Sequence, residues 1–396
     1  MKKAKTKKKK WLYRDALFSS LLSLIAFALL SVMMLSTSYF NPLIHTLKDF
    51  SFLDVFYEGN FVNETQISGD IVLINVEDYD RKNLALLIET INNNNPQVIG
   101  VDLIFKEKKI NENDSLLAKA LSYPKVITTY INRDNKTLGN AAIFKSPDQA
   151  SGFVNFDAEG QAGVVRKIQG VQNRNGKLVY AFTSQIIRNY NEGAIWLENE
   201  LEKSLISKRR IKYYGHYKDF EHYNGTDFLT MDNKSVIEGK LVLLGYLGSP
   251  LGDVYDVEDK HFTPLNKNPS GKGIPDMYGL TIHANVLNMM LLNDFFVEIG
   301  LVGEGLLILL FTYLASLYFI WLDRKLKISY RTVRKLVLFV FAFLFVGLCL
   351  WLFRKDIVIE PTLLIMITIF SAGFVKYYKH LVRYINTKRK FKTYLK

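Results

Sequence analysis

Gly279-Leu-Thr-Ile-His283-Ala-Asn285-Val-Leu287-Asn-Met-Met290-Leu-Leu is the stretch on which the reading of this chain turns. Leu280, Ala284, Leu287 and Leu291 recur at spacings of four, three and four, the apolar stripe of an amphipathic helix. A few residues on, Ile299 to Leu322 is almost wholly apolar. About 24 residues at 1.5 Å rise give about 36 Å, enough to cross a ~30 Å hydrocarbon core with some tilt. A folded domain therefore leads through a helix almost directly into a membrane span.

The flanks carry the charge. The chain has a net charge of +13, with 51 Lys and Arg against 38 Asp and Glu. Residues 1–15, 323–335 and 376–396 together hold 22 of the basic residues and only 2 of the acids, which leaves the remainder at −7. Basicity beside apolar runs sets membrane topology, and it argues against nucleic acid as a partner. Residues 1–15 read as a cytoplasmic polybasic leader and 16–35 as a transmembrane helix. A cleaved signal peptide is the alternative; its apolar core would be about 7–15 residues, whereas this run is about 20. The spacing and charge then predict an extracytoplasmic domain over 40–297, spans at 299–322, 336–353 and 357–375, and a cytoplasmic basic tail at 376–396. Both termini lie inside. Glu304 is awkward within the second span unless it marks the interfacial end. The lone cysteine, Cys349, falls in an apolar run, so the outside domain has no disulfides.

Within 40–297, Phe40 to Glu58 has helical spacing and reads as a stalk. Ile71–Val76, Val98–Phe105 and Leu241–Gly245 are short apolar runs expected as near-central strands of a mostly parallel sheet. Arg81–Ile91 is a helix ended by Asn92–Asn95 and Pro96, and Asp114 is expected to cap a short helix through Leu121. Val126–Ile131 is a further strand. Gly152–Phe156 and Val164–Ile168 look antiparallel, Asn173–Gly176 is a turn signal, and helices are expected over Thr183–Tyr190 and Ala194–Lys203. Arg210–Tyr214 reads as an edge strand, Gly215–Asn233 as a surface excursion, and Leu251–Met277 as a long loop of the kind that is functional or mobile. The fold class is an α/β ectodomain with a mostly parallel central sheet and antiparallel additions, plus four transmembrane α-helices, one before it and three after.

The chain resembles the type-two CHASE family, extracellular sensory domains associated with bacterial cyclases and histidine kinases. The resemblance rests on Val72–Glu77, Val98–Phe105, Gly163-Val-Val-Arg166-Lys, Leu241–Gly245, Asp253 with Thr263-Pro264, and Gly279–Asn285. It departs at Asp78-Tyr-Asp-Arg81, where the family has a Trp/Arg segment, and at Glu159–Ala162, where the family has an acidic pair. Family receptors continue into an output domain, while here about 20 residues follow the last span. The resemblance implies a sensor in the bacterial cytoplasmic membrane, without catalysis of its own, that meets an extracytoplasmic ligand or protein and signals to a membrane partner in trans. A scaffold whose ectodomain binds another protein is the alternative.

No catalytic signature, cofactor motif or metal-ligand spacing is expected. Gly271-Lys-Gly273 lacks phosphate-loop spacing, and His216 and His222 with Asp219 and Glu221 read as solvated surface. Glu77, Asp102 and Asp253 are the suggestive acids, because ligands bind beyond the carboxyl ends of parallel strands. They are expected to converge, with Arg166 or His283 offsetting their repulsion. The bland alternative is that Asp102 accepts backbone hydrogen bonds, Asp253 caps the loop and His283 is a satisfied core histidine. Asn285 is expected to pin a neighbouring loop. A homodimer is expected through the stripes of the stalk and of Gly279–Leu292.

Overall fold

The structure, a computed structural model, describes residues 2–37, 51, 54, 57, 66–109, 112–133, 136–159, 163–266, 273–326 and 329–395. Most of the expected stalk, all but residues 51, 54 and 57, the Gly160–Ala162 part of the acidic-pair segment and Gly271-Lys272 lie outside them. In chain order the elements are α1 (Lys2–Ser36), β1 (Ile71–Asn75), α2 (Arg81–Asn93), β2 (Val98–Val101), α3 (Glu112–Leu121), β3 (Val126–Arg133) and β4 (Lys136–Gly139). There follow β5 (Ser151–Phe153), β6 (Asp157–Glu159), β7 (Val164–Ile168), β8 (Val171–Arg174), β9 (Lys177–Tyr180), α4 (Phe182–Asn189), α5 (Ala194–Glu198), α6 (Leu201–Ile206) and β10 (Arg209–Arg210). The remainder is β11 (Glu221–Asn224), α7 (Gly225–Thr230), β12 (Leu241–Gly245), β13 (Lys260–His261), β14 (Met277–Tyr278), α8 (Gly279–Leu291), β15 (Val297–Glu298), α9 (Leu301–Lys325), α10 (Tyr330–Phe353), β16 (Ile357–Val358) and α11 (Pro361–Lys388). Two compact units result, one of them the ectodomain and the other made of the long helices.

The ectodomain is built on a sheet of order β11-β1-β12-β2-β3-β4, with β5 also beside β3. All its pairings are parallel except β3 with β4. Every residue of β1, β2 and β12 is buried, as apolar runs covered on both faces must be. Leu84, Leu87, Ile88 and Ile91 of α2 pack with Val72, Ile74, Val242 and Leu244 on one face. On the other face α4 approaches so closely that a Cβ on Gly100 would lie 2.8 Å from Ile186 Cδ1 and Phe182 Cζ. Antiparallel β10-β7-β6 and the β8–β9 hairpin complete the domain, the hairpin turning at Asn175 and Gly176 with φ of 52° and 80°.

Several expectations change. Ser151–Phe153 runs parallel to β3 in the main sheet, instead of pairing with Val164–Ile168. The supposed surface excursion supplies the edge strand β11 and the helix α7, with Phe220 and Phe228 buried. Ala194–Lys203 breaks at Asn199, because Glu200 takes a positive φ. Asp114 does not cap α3; it lies in the first turn, paired with Arg81. Above all, α8 is not an amphipathic surface helix. Gly279 to Met290 is buried throughout, so it offers no stripe to a second copy. Its polar residues are used internally. Asn285 Oδ1 accepts from the Tyr214 N–H at 2.6 Å and its amide donates to Gly215 O at 3.0 Å, so it pins that loop as expected. Asn288 does the same for Ser68 and Gln66.

Among the described residues four helices are long and apolar enough to cross a membrane, α1 from Lys9, α9, α10 and α11, one before the ectodomain and three after. The last begins at Pro361, not residue 357. Ile357 and Val358 pair with Val297 and Glu298, and proline opens the helix where its missing N–H costs nothing. Glu304 falls in the first turn of α9, where a carboxylate suits the helix dipole. One of the serines that interrupt α1 meets a partner across helices: Ser23 donates to Ser371 at 3.1 Å, and Ser371 lies 3.0 Å from Ser316. Asp15 of α1, fully buried, accepts from Thr393 Oγ1 at 2.6 Å and from the Tyr394 N–H at 2.7 Å.

Candidate ligand-binding site

β2 stops at Val101, earlier than its apolar run suggests. Asp102 donates its N–H to Leu244 O at 2.8 Å and then leaves the sheet, so it stands at the carboxyl end of a central parallel strand. Opposite it is the second turn of α8. Asp102 Oδ2 lies 3.8 Å from His283 Nε2, at ion-pair range and beyond a hydrogen bond. The β13–β14 hairpin feeds α8, and its other arm brings Asp259 and His261, with Asp259 O accepting from the Gly279 N–H at 2.9 Å. Asp259 Oδ1 is 3.9 Å from His261 Nε2. Phe156 ties the histidines together, its ring centroid 4.7 Å from that of His283 and 5.1 Å from that of His261. Phe182 closes the far side, edge-on to His283 at 5.2 Å.

The cluster grades from dry to open. The side chains of His283 and Asp102 are 3% and 13% exposed, those of His261 and Asp259 35% and 44%. Desolvation pushes the Asp102 carboxyl up to about 8, and the neighbouring Asp259 charge adds to it. Desolvation also brings His283 down to about 3, with His261 adding, and it lowers His261. Asp259 is raised by desolvation and by Glu258, against the pull of the Gly279 N–H. Asp102 is the more enclosed of the two acids, so it is the one that burial holds protonated at neutral pH. The site then holds a protonated acid beside a neutral imidazole whose Nδ1 has no hydrogen-bond partner among the described residues. Two aromatic rings wall it. One strand over, a polar groove of about 320 Å³ lies on β3, where Thr129 Oγ1 donates to Leu103 O.

Of the expected site residues the structure joins Asp102 with His283. Glu77 accepts from the Thr226 N–H at 3.1 Å, at the start of α7. Asp253 makes a local turn through the Tyr255 N–H at 2.9 Å, and its carbonyl accepts from Tyr278 Oη. The acids therefore do not share partners as expected; two of them stabilise loops. Arg166 is buried, 2% exposed, and engaged within the fold, and the described contacts of Asp102 and His283 do not include it. Its strand does border the site, since the Val165 N–H donates to Phe262 O at 2.8 Å.

The family model for the CHASE2 domain matches residues 25–317, from within α1 to within α9. The chain belongs to the CHASE2 domain family. CHASE2 domains are extracellular sensory domains, so a sensory module is the general assignment. No curated protein and no solved structure matches the chain. The quoted CHASE2 segments now have physical roles. Thr263 is clasped by Asp276, whose Oδ1 accepts from its N–H at 2.9 Å, and this orders the chain beside His261. At the departing segment, Asp80 caps α2 through the Asn83 N–H and Asp78 accepts from Ser249 Oγ at 2.6 Å. Sequence reasoning missed Asp259, His261, Phe156 and Asp276. Only the length of the Leu251–Met277 loop pointed to the first, second and last of these.

Proposed function

We propose that the chain is a membrane-anchored sensory receptor whose ectodomain takes its ligand at the recess of Asp102, His283, His261 and Asp259. The observation that carries the reading is the CHASE2 match, framed by one long apolar helix before the ectodomain and three after. We read the ectodomain as α/β, the spans as lying in a bacterial cytoplasmic membrane, and both basic termini as cytoplasmic. Its role is reception, not catalysis, and it signals to a membrane partner in trans. The recess suits a ligand that brings positive charge. Such a ligand displaces the Asp102 proton and packs against Phe156 as a cation on a ring. Binding coupled to proton release tightens as pH rises.

The test is a thermal-shift screen of small amines, quaternary ammonium compounds and divalent metal ions on the full chain at pH 6 and pH 8. The expected result is stabilisation by one class, stronger at pH 8 and lost in Asp102→Asn. Stabilisation by a protein partner alone, unaffected by Asp102→Asn, would instead favour a scaffold. For topology, Thr393→Cys should resist labelling from outside intact cells.

A further inference from the structure

The helical unit holds a groove that sensing does not use. It has a volume of about 730 Å³ and runs along α11, bordered by α1 and by the start of α10. It extends from Ile369 to Arg383, about 21 Å at 1.5 Å per residue. One end is apolar, walled by Leu30, Ile369 and Phe370, and the other is cationic, with Arg331, Arg334 and Lys376. Asp323 is the one acid among the described lining residues, and it is taken by Lys379 at 2.6 Å. Arg331 and Lys376 are exposed, as is Tyr377 between the two ends, so the groove opens sideways.

Length, polarity and charge agree on an occupant. One leaflet, half the hydrocarbon core plus a headgroup layer, is about 20–22 Å deep. That matches the groove end to end, with the apolar end toward mid-bilayer and the cations along its outer half, starting at Lys376 about 10 Å from Ile369. A free phosphate ion would use the cations and leave the apolar end empty. We propose that the groove binds one anionic phospholipid, its phosphate among Arg331, Arg334 and Lys376 and an acyl chain along Leu30, Ile369 and Phe370. The proposal rests on the reading of these helices as membrane spans.

The experiment reconstitutes the full chain in phosphatidylcholine bilayers and measures the motionally restricted fraction of spin-labelled phosphatidylglycerol against spin-labelled phosphatidylcholine. Each basic residue near an anionic lipid contributes about fivefold, so Arg331→Gln with Lys376→Gln should lower the preference for phosphatidylglycerol by about 25-fold. Arg389→Gln with Lys390→Gln removes the same charge outside the groove and should leave most of the preference. Ile369→Trp, which keeps every charge and fills the apolar end, should also reduce it. Inorganic phosphate at millimolar concentration should not displace the lipid. Equal restriction of the two lipids, equal loss in the control pair, or displacement by phosphate overturns the proposal. These outcomes are separate from sensing: loss of lipid preference leaves the ectodomain recess untouched, and an inverted topology changes only which leaflet supplies the lipid.

Discussion

Replacing Asp102 with asparagine should stabilise the ectodomain, and more so at higher pH. In the fold the carboxyl is pushed up to about 8, while the unfolded chain returns it to 3.8. The native state therefore binds more protons between these values, and the contribution of Asp102 to stability is intact near pH 4 and lost as pH rises toward 8. At about 1.4 kcal/mol per pH unit, the span from 3.8 to pH 7 corresponds to a penalty of about 4 kcal/mol. Asp259 can take over part of the titration, so about 2–4 kcal/mol should be recovered by a neutral isostere. For a domain of this size that corresponds to a rise in Tm of about 5–15 °C. The assay is scanning fluorimetry of the full chain and of Asp102→Asn at pH 5 and pH 8. The variant should lie close to the parent at pH 5 and well above it at pH 8. A fall in Tm at pH 8 as large as that at pH 5 would refute the reasoning. Asp102 would then be an ionised partner of a cation in the fold.

His283 should act in the opposite sense. It stays neutral in the fold while the unfolded imidazole takes a proton, so stability is lost as pH falls below about 6.5, by about 1.4 kcal/mol per pH unit. His283→Met should flatten that acid limb between pH 6.5 and pH 5 in the same melts. Gly100→Ala forces a methyl against Ile186 and Phe182 and should cost about 1–3 kcal/mol, read as a lower urea midpoint. Asp114→Asn leaves Arg81, 13% exposed, without its carboxylate and should cost about 3 kcal/mol by chemical denaturation.

The long helices and the three central strands were legible because burial on all sides demands uninterrupted apolar runs, and the sequence contains few of these. The β8–β9 turn was legible for the same kind of reason, since Asn175-Gly176 suits positive φ. What escaped was structure held by its neighbours. Glu221-His-Tyr-Asn224 carries no strand pattern and becomes one because β1 offers it a free edge. α8 has the spacing of a surface helix, yet both its polar and apolar sides are covered, because loops from residues 66–68 and 214–215 fold over its asparagines. The candidate site was half legible. Asp102 and His283 lie in strongly patterned segments. Asp259 and His261 are placed by a two-residue hairpin inside a long loop, and nothing in their local sequence foretells it.

The clasp on Asp15 bears on how this protein is made. Its carboxylate meets the Tyr394 N–H across 379 positions of sequence. At about 5–20 residues per second, synthesis of that interval lasts about 20–75 s. Until residues 378–394 have been made, the Asp15 carboxylate lacks the Tyr378, Thr393 and Tyr394 donors that it has in the fold. Asp15 of α1 is thus fully satisfied only once the segment after α11 is in place. A chain cut before Thr393 would keep α1, α9, α10 and α11 yet leave Asp15 with Tyr378 and without two of its donors, so the last residues act as a latch on the helical unit.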